Sequence, residues 1–148
     1  MRRFVKILLG IAVGLIVWFV LATVGNLLLR AAIRGYTEAE PTFQFTLPML
    51  LARLALGAIS SVVAGLACAR SIRSIPRVAW AFAVVLVLLF LPVHYRLWAQ
   101  FPPWYHAVFL VSLAPLVLLG AHLGRTSPSA VDRAAQSRDD LGAGYRDR

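Results

Sequence analysis

Four apolar runs of about 20 residues each divide this chain, and they limit most strongly what it can fold into. A helix rises 1.5 Å per residue, so a run of this length crosses the roughly 30 Å hydrocarbon core of a bilayer. Hydrophobic residues make up 60% of the 148 residues, whereas a soluble domain is typically about 45–50% apolar. The sequence therefore predicts an all-α integral membrane protein, a bundle of four transmembrane helices.

The apolar runs and the residues that flank them set the bounds of the expected helices. We expect spans at about 7–29, 47–69, 78–93 and 104–123, forming one membrane domain over residues 1–124. Thr46 and Pro48 are typical of a helix start, and Gly124 is typical of a helix end. The first run passes well beyond residues 20–22, which resemble a signal-peptide cleavage site. We therefore expect a retained anchor, with cleavage as the alternative.

Basic residues alternate in density between the apolar runs, and this predicts the orientation. Nine lie around the N-terminus, the second loop and the start of the tail, against three in the other two loops. The nine are Arg2, Arg3, Lys6, Arg70, Arg73, Arg77, Arg125, Arg133 and Arg138, and the three are Arg30, Arg34 and Arg96. Cytoplasmic loops carry the excess of basic residues, so both termini are predicted to be cytoplasmic.

The tail at 125–148 mixes arginine with aspartate and lacks apolar periodicity, which predicts disorder. Lys6 is the one lysine among 15 basic residues. We interpret this preference for arginine as typical of a GC-rich bacterial source, and the membrane as the bacterial inner (plasma) membrane. The net charge of +9 is concentrated at the membrane ends. It therefore suits lipid headgroups, and we expect no nucleic-acid partner.

Small residues recur every four positions in the first two runs. Gly10 and Gly14 share one face of the first helix, and Gly57, Ser61 and Gly65 share one face of the second. Small residues let transmembrane helices approach closely. In an antiparallel pair, Gly10 and Gly14 fall at the same depth as Ser61 and Gly65. The prediction is that the two faces pack on each other within one chain, and the alternative is a homodimer face.

Arg53 is the one charge inside an apolar run, and intramembrane charges are costly and often functional. It lies only about 9 Å of helix from Leu47, so its side chain can reach the outer interface or pair with Glu38 or Glu40. A second hypothesis joins Arg53 to Arg30 and Arg34. These follow Asn26 at spacings of four and would form a basic outer rim that binds an anionic ligand or lipid headgroup.

His94 and His106 flank the third loop and are expected at the same depth on adjacent helices. Neutral imidazoles so placed can bind a metal or a haem iron. The loop between them is rich in aromatic residues, which favours the simpler interpretation of an aromatic belt with interfacial histidines. No cysteine or carboxylate lies near them in sequence to complete a metal site. We therefore expect no cofactor.

Several kinds of chemistry lack their residues in this sequence. The apolar runs contain no Asp or Glu for proton transfer, Cys68 is the single cysteine, and Ser60 and Ser61 have no base beside them in sequence. The leading prediction is a non-enzymatic membrane protein that acts as an accessory subunit or a homo-oligomer. The alternatives are binding or transport of an anionic or lipid-like ligand at the outer interface, and haem or metal binding through His94 and His106.

Overall fold

The computed structural model describes residues 2–72 and 77–126. Within these residues all regular secondary structure is α-helical. The helices are α1 (Arg2–Ala32), α2 (Tyr36–Thr42), α3 (Leu47–Ser71), α4 (Val78–Arg96) and α5 (Pro103–Thr126). All but α2 are long and apolar enough to cross a membrane, which confirms the four predicted spans. From residue 127 onward, the tail predicted to be disordered lies outside the described residues.

The helices are longer than the apolar runs that predict them. α1 begins at Arg2 and α4 continues past Pro92 to Arg96, because polar residues at a membrane surface extend a helix without extending its apolar run. The short helix α2 was not predicted, since its sequence Tyr-Thr-Glu-Ala-Glu-Pro-Thr carries no apolar run. It begins after Gly35, whose φ of 76° is readily adopted by glycine.

The four long helices form a ring in the order α1, α3, α5, α4, with α3 and α5 in the most extensive contact. The apolar core lies inside this ring and is built around Phe82, Leu86, Leu113 and Val117, all almost fully buried. We call the end of the bundle that carries α2 and the loop 97–102 the α2 end, and the opposite end the far end.

Glycines bring α3 and α5 into backbone contact toward the far end. A Cβ on Gly65 would collide with the carbonyl oxygen of Val117, and a Cβ on Gly120 would collide with that of Val62. One turn further, a Cβ on Gly124 would lie 2.9 Å from the carbonyl oxygen of Leu66. The outermost contacts are Gly57 with Phe109 and Leu66 with Gly124, and they advance in the same direction on both helices, so α3 and α5 run parallel. We call this contact the glycine seam.

The two predicted faces of small residues do not pack on each other, which corrects that part of the sequence analysis. A Cβ on Gly10 would meet Val78 and Ile72, the residue after α3, and one on Gly14 would meet the ring of Phe82. This face of α1 therefore lies mainly against α4. Gly57 and Gly65 instead face α5, through Phe109 and Val117. Spacing by four identifies a face of a helix but not the neighbour that this face contacts.

Ser61 is the member of the second stripe that does contact α1. Its hydroxyl accepts a hydrogen bond from the indole Nε1 of Trp18 at 3.0 Å and donates to the carbonyl of Gly57 at 2.7 Å. The bond to Trp18 is buried, and it fixes the height of α1 relative to α3. Ser60, its neighbour, has a buried hydroxyl without a partner.

Candidate functional site

The polar side chains of the α2 end form a chain of hydrogen bonds across three helices. Arg53 on α3 donates from Nη1 to the hydroxyl of Tyr36 on α2 at 2.9 Å, and Tyr36 donates to Oδ1 of Asn26 on α1 at 2.9 Å. Asn26 donates from Nδ2 to Oε1 of Glu40 at 3.0 Å, and Glu40 also forms an ion pair with Arg30 at 2.6 Å. We call these five residues the polar network. It ties α2 to α1 and α3.

The polar network holds one positive charge more than it can neutralise. Arg30 and Arg53 contribute two positive charges, and Glu40, whose Oε1 lies 3.9 Å from Nη1 of Arg53, contributes the one negative charge. Arg53 also stacks its guanidinium 4.8 Å from the ring centroid of Phe45. Its Nε is buried and has no hydrogen-bond partner. Arg53 therefore retains a donor that another group can use.

Two pKa values in α2 reflect this arrangement. Burial raises the pKa of the Tyr36 hydroxyl, and the charge and hydrogen bond of Arg53 only partly offset that effect, so Tyr36 is neutral at ordinary pH. Burial also acts to raise the pKa of Glu40. Hydrogen bonds from Asn26 and Arg30, together with the charges of Arg30 and Arg53, outweigh it, so the pKa of Glu40 lies below its ordinary value.

His94 and His106 lie in direct contact at the same end of the bundle. Their Nδ1 atoms are 2.7 Å apart and buried, so one imidazole donates its Nδ1 proton and the other accepts it. This bond joins α4 to α5. His106 is only 1% exposed and stacks on Trp98 with ring centroids 5.0 Å apart, while its Nε2 is buried without a partner.

A half-open cavity of about 200 Å³ lies between the polar network and the histidine pair. All four long helices line it. Its wall includes Trp18, Ala22 and Asn26 of α1, Arg53 and Leu56 of α3, Val93 and His94 of α4, Leu97 of the following loop, and Tyr105, His106 and Phe109 of α5. An apolar, aromatic wall with a few converging polar groups is the usual composition of a ligand site.

The structure assigns different places to the arginines of the predicted basic rim. Arg53 lines the cavity, and Arg30 is occupied by its ion pair with Glu40. Arg34 does not continue the helical face, because α1 ends at Ala32 and Arg34 lies exposed in the turn before α2. Of the three, only Arg53 therefore lines the cavity.

Sequence reasoning placed Arg53 and the two histidines in separate hypotheses, whereas the structure puts them around one cavity. It also missed Tyr36, which is fully buried and central to the polar network. The available signal was the spacing of Tyr36 and Glu40, four residues apart after a glycine, which places both on one face of a short helix.

Neither histidine has a third metal-binding partner within the described part of the chain. No group of three or more His, Cys, Asp or Glu side chains is close enough there to hold a metal ion. The pair also uses both Nδ1 atoms in its own hydrogen bond, which leaves the Nε2 atoms as possible ligands.

Comparisons of the chain with protein-family models, with curated proteins and with solved structures found no match.

Proposed function

We propose that this protein binds a small ligand bearing an oxyanion, such as a carboxylate or a phosphate ester, in the cavity at the α2 end. The observation that carries the proposal is Arg53, which lines the cavity with a buried, unpartnered Nε and belongs to a network with one uncompensated positive charge. A charge inside a transmembrane helix is costly. A bound anion would neutralise it.

The histidine pair supplies the opposite side of the same site. His106 is buried and has an Nε2 without a partner, and both imidazoles line the cavity. An imidazole nitrogen can donate to a ligand oxygen when it carries the proton. The ligand would thus lie between the guanidinium of Arg53, which is always charged, and a neutral imidazole that donates a hydrogen bond. Which imidazole nitrogen carries the proton depends on the hydrogen bond between His94 and His106.

In this proposal the α2 end faces the outside of a bacterial inner membrane and both termini are cytoplasmic. The support is the distribution of basic residues, which are denser around the N-terminus and the second loop than at the α2 end. The ligand would then be bound near the outer membrane–water interface. The protein would act by binding rather than by catalysis.

The test is isothermal titration of hexanoate, a six-carbon carboxylate, into the purified protein in mild detergent. We expect saturable binding to the wild type. Arg53→Gln should weaken it about tenfold to a hundredfold, because a hydrogen bond to a charged group contributes about 1.5–3 kcal/mol. Tyr36→Phe is the matched control: it breaks the network beside Arg53 but keeps the guanidinium, so its affinity should change far less.

A second pair of variants tests the cavity itself. Ala22→Trp on α1 fills the cavity and should abolish hexanoate binding. Ala12→Trp places the same ring on the exposed face of the same helix and should bind as the wild type does. Binding that survives Ala22→Trp would refute the proposed site. If hexanoate does not bind and a single membrane protein or a second copy purifies with the chain, the accessory role becomes the better description.

A metal or haem iron bound by the histidines is the second candidate, and the buried, unpartnered Nε2 of His106 favours it. Its test is an absorption spectrum with metal analysis of protein purified from cofactor-replete cells. A haem band or stoichiometric metal that disappears in His106→Leu would support this candidate. A colourless and metal-free protein would eliminate it.

A further inference from the structure

The cavity is bordered by two different pairs of helices at the α2 end. On one side a Cβ on Gly25 of α1 would collide with the side chain of Leu56, so α1 packs closely on α3. On the other side the bond between His94 and His106 holds α4 on α5. Between these pairs, Ala22 and Asn26 of α1 and Val93 of α4 line the cavity.

Aromatic rings join α1 and α4 below the cavity. Trp18 and Phe90 have ring centroids 4.6 Å apart, and Phe19 stacks on Phe90 at 6.4 Å. Toward the far end the contact continues through Gly14 and Phe82. The two helices therefore meet from the far end up to these rings, and the rings form the floor of an opening between them.

The rim of this opening is apolar and exposed. Val93 lines the cavity yet is 44% exposed, and both α1 and α4 are spans long and apolar enough to cross a membrane. Leu89 and Leu91 on the same helix are also exposed, so Val93 continues an exposed apolar surface of α4. Val93 thus joins the cavity to this surface.

The size of the cavity limits what it can enclose. At about 200 Å³ it is smaller than the roughly 300–1,000 Å³ typical of sites for drug-sized ligands. It can hold a head group and a few carbons, with Arg53 at the inner wall. Any remaining part of the ligand must leave through the opening, where only an apolar chain is tolerated.

We propose that the ligand is a single-chain amphiphile, a fatty-acid or lysolipid-like molecule, which enters sideways from the lipid between α1 and α4. Its oxyanion contacts Arg53 and its chain passes between Ala22 and Val93 into the bilayer. This inference rests on the proposed function and adds the class of ligand and its route. A free anion from the water shares the head-group chemistry, so the experiment must separate the two sources.

The experiment uses the full chain in bilayer nanodiscs and a hexadecanoate probe with a photoreactive diazirine a few carbons from its carboxylate. We expect crosslinks on the peptides that contain Ala22 and Val93, reduced at least fivefold by excess unlabelled hexadecanoate. Val93→Trp should reduce crosslinking at least fivefold, because its ring would occupy the space between Val93 and Ala22. Val84→Trp is the matched control, because Val84 is exposed on the same helix and does not line the cavity.

The remaining outcomes separate this inference from the proposed function. Hexanoate or phosphate binding with uncompeted crosslinks spread over all exposed faces would mean a free anion, and would overturn the lateral route alone. Competed crosslinking that Val93→Trp leaves unchanged would overturn the route between Ala22 and Val93. If neither hexanoate nor the probe binds to the wild type, the proposed function fails together with this inference.

Discussion

α3 and α5 form the glycine seam and also contribute to the cavity, yet they pack in opposite ways in these two regions. At the seam, Gly65 and Gly120 let the backbones of α3 and α5 touch. Two turns closer to the α2 end, Gly57 contacts the ring of Phe109 instead of a backbone, and the cavity begins there. The same residue type thus closes one region and makes room for an aromatic side chain in the other.

The difference shows how one bundle combines a rigid end with an open one. Contacts between backbones leave little room to relax, since protein interiors are close-packed. Around the cavity, contacts are made by rings and polar side chains, which can change rotamer when a ligand enters. The seam holds α3 and α5 in register, and that register sets where Arg53 and His106 stand relative to each other. Each of the following predictions changes one side of this contrast.

The largest expected effect is at the glycine seam. Gly120→Leu places a side chain where α5 meets the backbone of α3, and a backbone cannot move aside as a side chain can. Overpacking a core usually costs about 1–3 kcal/mol and sometimes more. We expect a loss of at least about 3 kcal/mol in the free energy of unfolding, measured by SDS titration in mixed micelles.

Ala107→Leu is the control for that variant, because Ala107 is exposed on the same helix. It should leave the free energy of unfolding nearly unchanged. A Gly120→Leu protein as stable as the wild type would show that α3 and α5 do not touch in this way.

An intermediate effect is expected at the histidine pair. His94→Leu leaves Nδ1 of His106 buried without its partner, and an unpaired buried polar group costs about 1–3 kcal/mol. Replacing both residues removes both polar groups, so His94→Leu/His106→Leu should be less destabilised than the sum of the two single variants. Unfolding free energies of all four proteins measure this coupling.

Additive losses in that cycle would contradict the hydrogen bond between the imidazoles. The site would then consist of two independent interfacial histidines, which is the simpler interpretation that the sequence favours. The comparison with the seam would also weaken, because the α2 end would lose the contact that joins α4 to α5.

The sequence was sufficient to predict the four spans, because each apolar run is long enough to cross a bilayer by itself. It also indicated that His94 and His106 lie at one depth, since both flank a short loop between adjacent helices. Their direct bond depends on how α4 and α5 rotate about their axes, and four-residue spacing does not determine that rotation. The prediction of which helix face contacts Gly10 and Gly14 was wrong for the same reason.

The polar network was harder to predict because it depends on α2, a helix without an apolar run. Glu40 was one of two candidate partners for Arg53, but the ion pair to Arg30 and the central place of Tyr36 require the turn at Gly35. Arg34 fell outside the site once α1 ended at Ala32. Local polar geometry of this kind depends on loop conformation, which a hydropathy pattern does not predict.

The smallest expected effect is at Glu40, and it depends on pH. Because the pKa of Glu40 is lowered in the folded protein, its ionised form stabilises the fold above the ordinary value of 4.5, and this contribution is lost as the pH falls through the lowered value. Glu40→Gln should therefore cost about 1 kcal/mol at pH 7 and progressively less in acid. Melting temperatures of both proteins from pH 7 down to pH 3 test this convergence.

Glu38→Gln changes an exposed carboxylate on the same helix and should follow the wild type throughout. Parallel curves for Glu40→Gln and the wild type would mean that α2 is not anchored through this carboxylate, and the α2 end would then be held by the histidine pair and the aromatic rings alone.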